Sequence, residues 1–233
     1  MIAGAALCPS PPLLCAELTG GRAVLPELRA ACAAAVGRLL AEDPQVVVVV
    51  GPAAATGAWD AASRLDLSAF APPAASTGAG SPPLALGLGA MLLDQAGYLG
   101  PRQLQAIGQD EPSSACAKLG ANLAGSGARM ALLVMGDGSA RRGPRAPGYL
   151  DSRAAAFDAA VERAVRSGEV GALQRLDQTL ARDLMVTGRP AWQVLSGAMG
   201  PLTAAAEVPY CDDPFGVAYL VAYLSPRPGN GRR

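Results

Sequence analysis

At 233 residues, of which 51% are hydrophobic, the chain is long enough for one α/β domain with a substantial core and short for two. Its 19 basic and 19 acidic residues cancel, so no global field favours nucleic acid or an anionic membrane. Histidine is absent altogether, which removes the commonest metal ligand and the usual general base at neutral pH.

Residues 2–7 form a short apolar run stopped by Pro9, Pro11 and Pro12, and the reading is a core strand. No basic segment precedes the run and prolines interrupt it, so it does not read as an export signal. Leu25, Leu28, Cys32, Val36 and Leu39 recur at helical spacing, with Pro26 tolerable in a first turn. The near-pure valine run at 45–50 predicts a strand buried on both faces. Strand, helix, strand is a βαβ unit. It predicts neighbouring parallel strands whose C-terminal ends, with Ser10 and Ala53, share one sheet edge.

A Gly-, Pro-, Ser- and Ala-rich loop over about 71–83 reads as an excursion over that edge. Helices are expected at 84–95 and 113–123, and a third core strand at 129–135 delivers Gly136-Asp137-Gly138 to the same edge. Asp151 or Ser152 can cap a helix whose Ala154, Phe157, Val161 and Val165 make one apolar face. Shorter helices fill 169–199, and strands at 208–211 and 215–224 bracket Asp212-Asp213-Pro214. The expected fold is therefore one α/β domain over 1–224, with a central, mostly parallel sheet flanked by helices and a closing strand pair. The Pro-, Gly- and Arg-rich tail, 225–233, is expected to be disordered.

Cys8, Cys15, Cys32, Cys116 and Cys211 show no CxxC pair or regular spacing, as expected of reduced thiols in the cytoplasm. No run approaches the roughly 20 apolar residues that cross a bilayer, so no membrane partner is expected.

Five stretches in order carry a resemblance: MIAGAALCPSPPLL, VVVVVGPAAATG, VMGDGSA, TGRPAW and DDPFGVAYLVAYL. Together they resemble the landmarks of the class III extradiol (LigB-like) dioxygenases and their Memo-like relatives, over most of the chain. The resemblance implies a LigB-like domain and also shows what is missing. Where the family pattern places metal-binding or acid/base histidines, this chain has Ser10, Ala53 and Ala140, the last within Gly136-Asp137-Gly138-Ser139-Ala140. The metal-binding Glu or Cys expected before the Gly-Arg of TGRP is matched by Asp183 or Thr187, with the register open.

Extradiol cleavage needs Fe(II) held by two histidines and a carboxylate, with positions left open for catecholate and O₂. A serine hydroxyl is a poor Fe(II) ligand and alanine is none, so no metal or cofactor is expected. Cys8, Cys15, Asp137, Asp183 and the Asp212-Asp213 pair are the residues from which a rescue could be built. Each has a plainer reading: the cysteines as small buried apolar residues, the aspartates as turn formers. Ser10, Ser139 and the thiols lack a histidine base, and Lys118 has no visible partner, so a nucleophilic hydrolase is not expected. Arg141, Arg142, Arg145 and Arg189 read as a solvated basic loop or as an anion site.

The expectation is thus a family member without iron-dependent ring cleavage and with a binding or structural role, its partner a small anionic or aromatic ligand, a second copy or another protein. The alternative keeps a dioxygenase-like small-molecule reaction in the same cleft, with an unusual metal or none.

Overall fold

The computed structural model describes residues 1–20, 22, 24–65 and 81–227. In chain order its regular elements are strand β1 (Ile2–Cys8), helix α1 (Pro26–Leu40), β2 (Val46–Ala53), β3 (Gly57–Trp59), α2 (Leu84–Gln95), β4 (Arg102–Gly108), α3 (Ser113–Ala124), β5 (Met130–Met135), α4 (Ala154–Arg166), α5 (Gln178–Asp183), α6 (Arg189–Met199), β6 (Thr203–Asp212) and β7 (Tyr219–Arg227). The strands form one seven-stranded sheet in the order β3-β4-β2-β5-β1-β7-β6. The inner four, β4, β2, β5 and β1, are mutually parallel, while β3, β7 and β6 join antiparallel at the flanks. The chain is an α/β domain with a mixed sheet between helices.

Alternation along β2 divides the core in two. Val46, Val48 and Val50 face the cluster completed by α3, α4 and α6. Val47 and Val49 face the one completed by α1 and α2. Removing a valine side chain fully from water is worth about 1.5–3 kcal/mol, so this run anchors both layers. The α3–α6 contact is closer still. A Cβ added at Gly120 would collide with the backbone carbonyl of Val194, which is why a glycine sits at that crossing.

Several expectations change. β1 and β2 are not neighbours, because β5 lies between them and pairs with both. All six residues of β5, Met130–Met135, are buried, as suits a strand paired on both sides and covered on both faces. The consequence drawn from neighbouring strands survives, since all are parallel and end on the same edge. β4 was not expected: in Arg102–Gly108 only Leu104, Ala106, Ile107 and Gly108 are buried, so the apolar signal is broken by polar residues. The closing pair is longer than its apolar letters imply. β6 begins at Thr203, opposite Arg227, and its register shifts between Glu207 and Tyr210 around Pro209.

β7 therefore carries Ser225, Pro226 and Arg227, which were expected in a disordered tail; the rest of that tail, 228–233, lies outside the described residues, as does the 71–80 part of the expected excursion loop. The helix expected from an Asp151 or Ser152 cap starts at Ala154. Asp151 instead makes a turn just ahead of it, its Oδ1 accepting the Arg153 backbone N–H at 2.9 Å. Among the described residues no helix is long and apolar enough to cross a membrane.

Candidate functional site: a cleft at the C-terminal edge

Four parallel strands deliver one residue each to the same hollow. Ser10 follows β1, Ala53 ends β2, Gln109 follows β4 and Asp137 follows β5, and all four line a cleft of about 580 Å³. Ligands of open α/β sheets bind outside the carboxyl ends of the strands for this geometric reason: the loops there diverge and leave a crevice. Pro12, Pro52, Leu84, Ala85 and Val186 make apolar walls, while Thr187 adds a hydroxyl and Arg182 a guanidinium.

Asp137 is held from three sides. Its Oδ1 accepts the Ser10 backbone N–H at 2.7 Å. Its own N–H donates to Thr187 Oγ1 at 2.9 Å, and its carbonyl accepts the Gly188 N–H at 2.9 Å. The approach that permits this is tight. Gly136 has φ of +153°, and a Cβ there would collide with Gly188 Cα, so the segment before Asp137 and the segment after Thr187 meet as bare backbone. Burial pushes the Asp137 carboxyl up to about 6, against the lowering effect of the Ser10 hydrogen bonds. No arginine or lysine pairs with it among the described ion pairs.

Gln109 is oriented by its neighbours too. Its N–H donates to the Ala53 carbonyl at 3.0 Å, extending the β2–β4 pairing by one residue. Its side-chain Nε2 donates to the Val186 carbonyl at 2.7 Å. Beneath it lies Arg189, 1% exposed, which donates to the Gln109 carbonyl at 2.6 Å, the Glu111 carbonyl at 2.9 Å and Gln193 Oε1 at 2.8 Å.

Of the positions singled out from sequence, Ser10, Ala53, Asp137 and Thr187 come together in the cleft. Of the two candidates for the acidic position, Thr187 lines the cleft and Asp183 does not. Asp183 is exposed and pairs with Arg153 at 3.3 Å. Ser139 and Ala140 turn away. Ser139 is fully buried, its Oγ donating to Asp158 Oδ2 at 2.7 Å and its N–H to Asp158 Oδ1 at 2.9 Å. Burial raises the Asp158 carboxyl. Ala140 is buried, its N–H bound to the Leu184 carbonyl at 3.0 Å.

The four arginines do not gather in the cleft. Arg142 pairs with Asp213 at 2.7 Å and lies 3.8 Å from Asp158, Arg145 is exposed, and Arg189 serves backbone carbonyls. Arg141 also lies outside the cleft lining. The rescue residues disperse likewise. Cys8 is buried beside Cys32, whose thiol, with burial, holds it well above the usual range. Cys15 lines a separate hollow with Met91 and Glu17, and burial raises its thiol. Asp212 accepts the Asp213 backbone N–H at 2.8 Å in a turn. Among the described residues no three His, Cys, Asp or Glu side chains converge as a metal group would require. One carboxylate beside Ser10, Thr187 and Gln109 does not fit the two-histidine, one-carboxylate set of a ring-cleaving Fe(II).

Sequence reasoning missed Gln109 and Arg182. Gln109 was legible in principle, as the residue after a strand, had the half-polar β4 been recognised. Arg182 lies on α5, a six-residue helix with no motif of its own.

A solved structure of an uncharacterized protein, JW3007, from Escherichia coli K12 is similar to this chain, with a TM-score of 0.54 at 13% identity, over 96% of this chain and 99% of that one. At that identity the likeness concerns the fold. No family model and no curated protein matches the chain.

Proposed function

We propose that this is a divergent LigB-like domain that keeps the extradiol-dioxygenase cleft as a small-molecule binding site and does not perform Fe(II)-dependent ring cleavage. The observation that carries the reading is the cleft's composition: among the described residues, Asp137 is the one carboxylate, and no cysteine joins it, in the lining. Support for the family comes from the ordered motifs, four of which contain cleft residues, Ser10, Ala53, Asp137 and Thr187. The reading places the protein in the cytoplasm, in keeping with five unpaired cysteines.

A second reading keeps chemistry in the cleft. A carboxyl raised to about 6 is matched to proton transfer at neutral pH, and Asp137 would be the acid/base group. Loading the purified protein with Fe(II) under anaerobic conditions, then adding catechol and air, tests the proposal. The expected result is less than stoichiometric retained iron after desalting and no ring-opened product. One retained iron per chain with ring opening, lost in Asp137→Ala, would overturn it.

A further inference from the structure

The floor and the mouth of the cleft differ in how their charges are answered. At the mouth, Arg182 is already paired, its Nη2 lying 2.6 Å from Asp110 Oδ1. At the floor, the Asp137 carboxylate has neutral hydrogen-bond donors from Ser10 but no cation. Gln109, which lines the same hollow, is neutral and gives one of its two side-chain N–H groups to the Val186 carbonyl.

An anion entering here would meet the Asp137 carboxylate, and Arg182, the cation among the described lining residues, is already shared with Asp110. A neutral apolar molecule would strip water from the carboxylate and return nothing for it. A cation on an apolar body answers both, because a charge-assisted N–H···O bond replaces the lost hydration while the body covers proline, alanine and leucine side chains.

Resting on the binding-site reading above, we propose that the cleft takes a small organic ammonium, its N–H groups on Asp137 and its apolar body against Pro52, Ala53 and Leu84. This differs from the anion preference expected from the arginine-rich loop, of which Arg141, Arg142 and Arg145 all lie outside the cleft lining.

Three probes of one shape and different charge test it on the full chain by calorimetric titration: benzylamine, benzyl alcohol and benzoate. Benzylamine is expected to bind at least about tenfold tighter than benzyl alcohol, a factor equal to about 1.4 kcal/mol, and benzoate not measurably. Asp137→Asn, which keeps an acceptor for the Ser10 N–H, should bring benzylamine down to the level of benzyl alcohol. Ala53→Trp, which fills the cleft, should abolish binding of every probe. Benzoate binding as tightly as benzylamine, or benzylamine indifferent to Asp137→Asn, would overturn the ammonium preference. If such binding were still lost in Ala53→Trp, the cleft would remain a binding site. No binding of any probe to the wild-type chain would overturn both.

Discussion

Replacing Arg189 by methionine is expected to destabilise the protein by about 3 kcal/mol, with a matching loss of ligand affinity. The guanidinium reaches three acceptors, the carbonyls of Gln109 and Glu111 and the Gln193 side chain, at 2.6–2.9 Å. Methionine fills similar volume and offers none of the donors. Each buried acceptor left unpaired costs about 1–3 kcal/mol. Against that stands the relief of no longer burying a charge, which is real here because burial already lowers the arginine's proton affinity. The net should stay clearly destabilising. Lysine should not rescue it, since one ammonium cannot span acceptors on separate segments. Because the Gln109 carbonyl is one of the three, its side chain should lose its place in the cleft, so affinity falls with stability. Denaturant unfolding of both variants checks this; a loss below about 1 kcal/mol would show that the buried fork is not what holds the loop.

Asp137→Asn should act in the opposite direction and only above a certain pH. A carboxyl at about 6 in the fold, against an ordinary 3.8, binds its proton more tightly folded than unfolded. The fold therefore has its full share of stability from this group below about pH 4 and loses it as pH rises through about 6. Each tenfold difference in proton affinity is about 1.4 kcal/mol, giving about 3 kcal/mol for the ionised carboxylate. Water in the open cleft lowers this to about 2 kcal/mol. Asparagine is neutral throughout, so at about pH 8 it should raise the melting temperature by about 4–8 °C. Near pH 4 the two proteins should melt together. A difference of equal size at both pH values, or a variant less stable at high pH, would contradict the argument. A group that costs the fold stability at neutral pH is what a functional position looks like.

The legible parts of this protein were those where a local pattern decides the structure. Prolines after β1, a pure valine run in β2 and the glycines around Asp137 mark strand ends without help from distant residues, so Ser10, Ala53 and Asp137 could be placed on one edge. β4 was lost because Arg102, Gln103 and Gln105 break its apolar signal, and pairing with β2 decides its state. The places of the arginines were illegible for a different reason. Arg142 finds Asp213 71 positions away and Arg189 finds carbonyls about 80 positions away; partners so remote leave no local trace. Ala140 belongs to the motif that supplies Asp137, yet the chain turns at Gly138, where an added Cβ would crowd Ala218 and Asp158, and carries Ala140 out of the hollow.

The central claim is that the edge cleft binds a small molecule without iron. An amide-resolved NMR titration of the full chain with benzylamine tests it most directly. The account predicts saturable shifts confined to the cleft and its supports, strongest at Ser10, Gln109, Asp137 and Thr187. Shifts centred elsewhere, or none until stoichiometric Fe(II) is added, would contradict it.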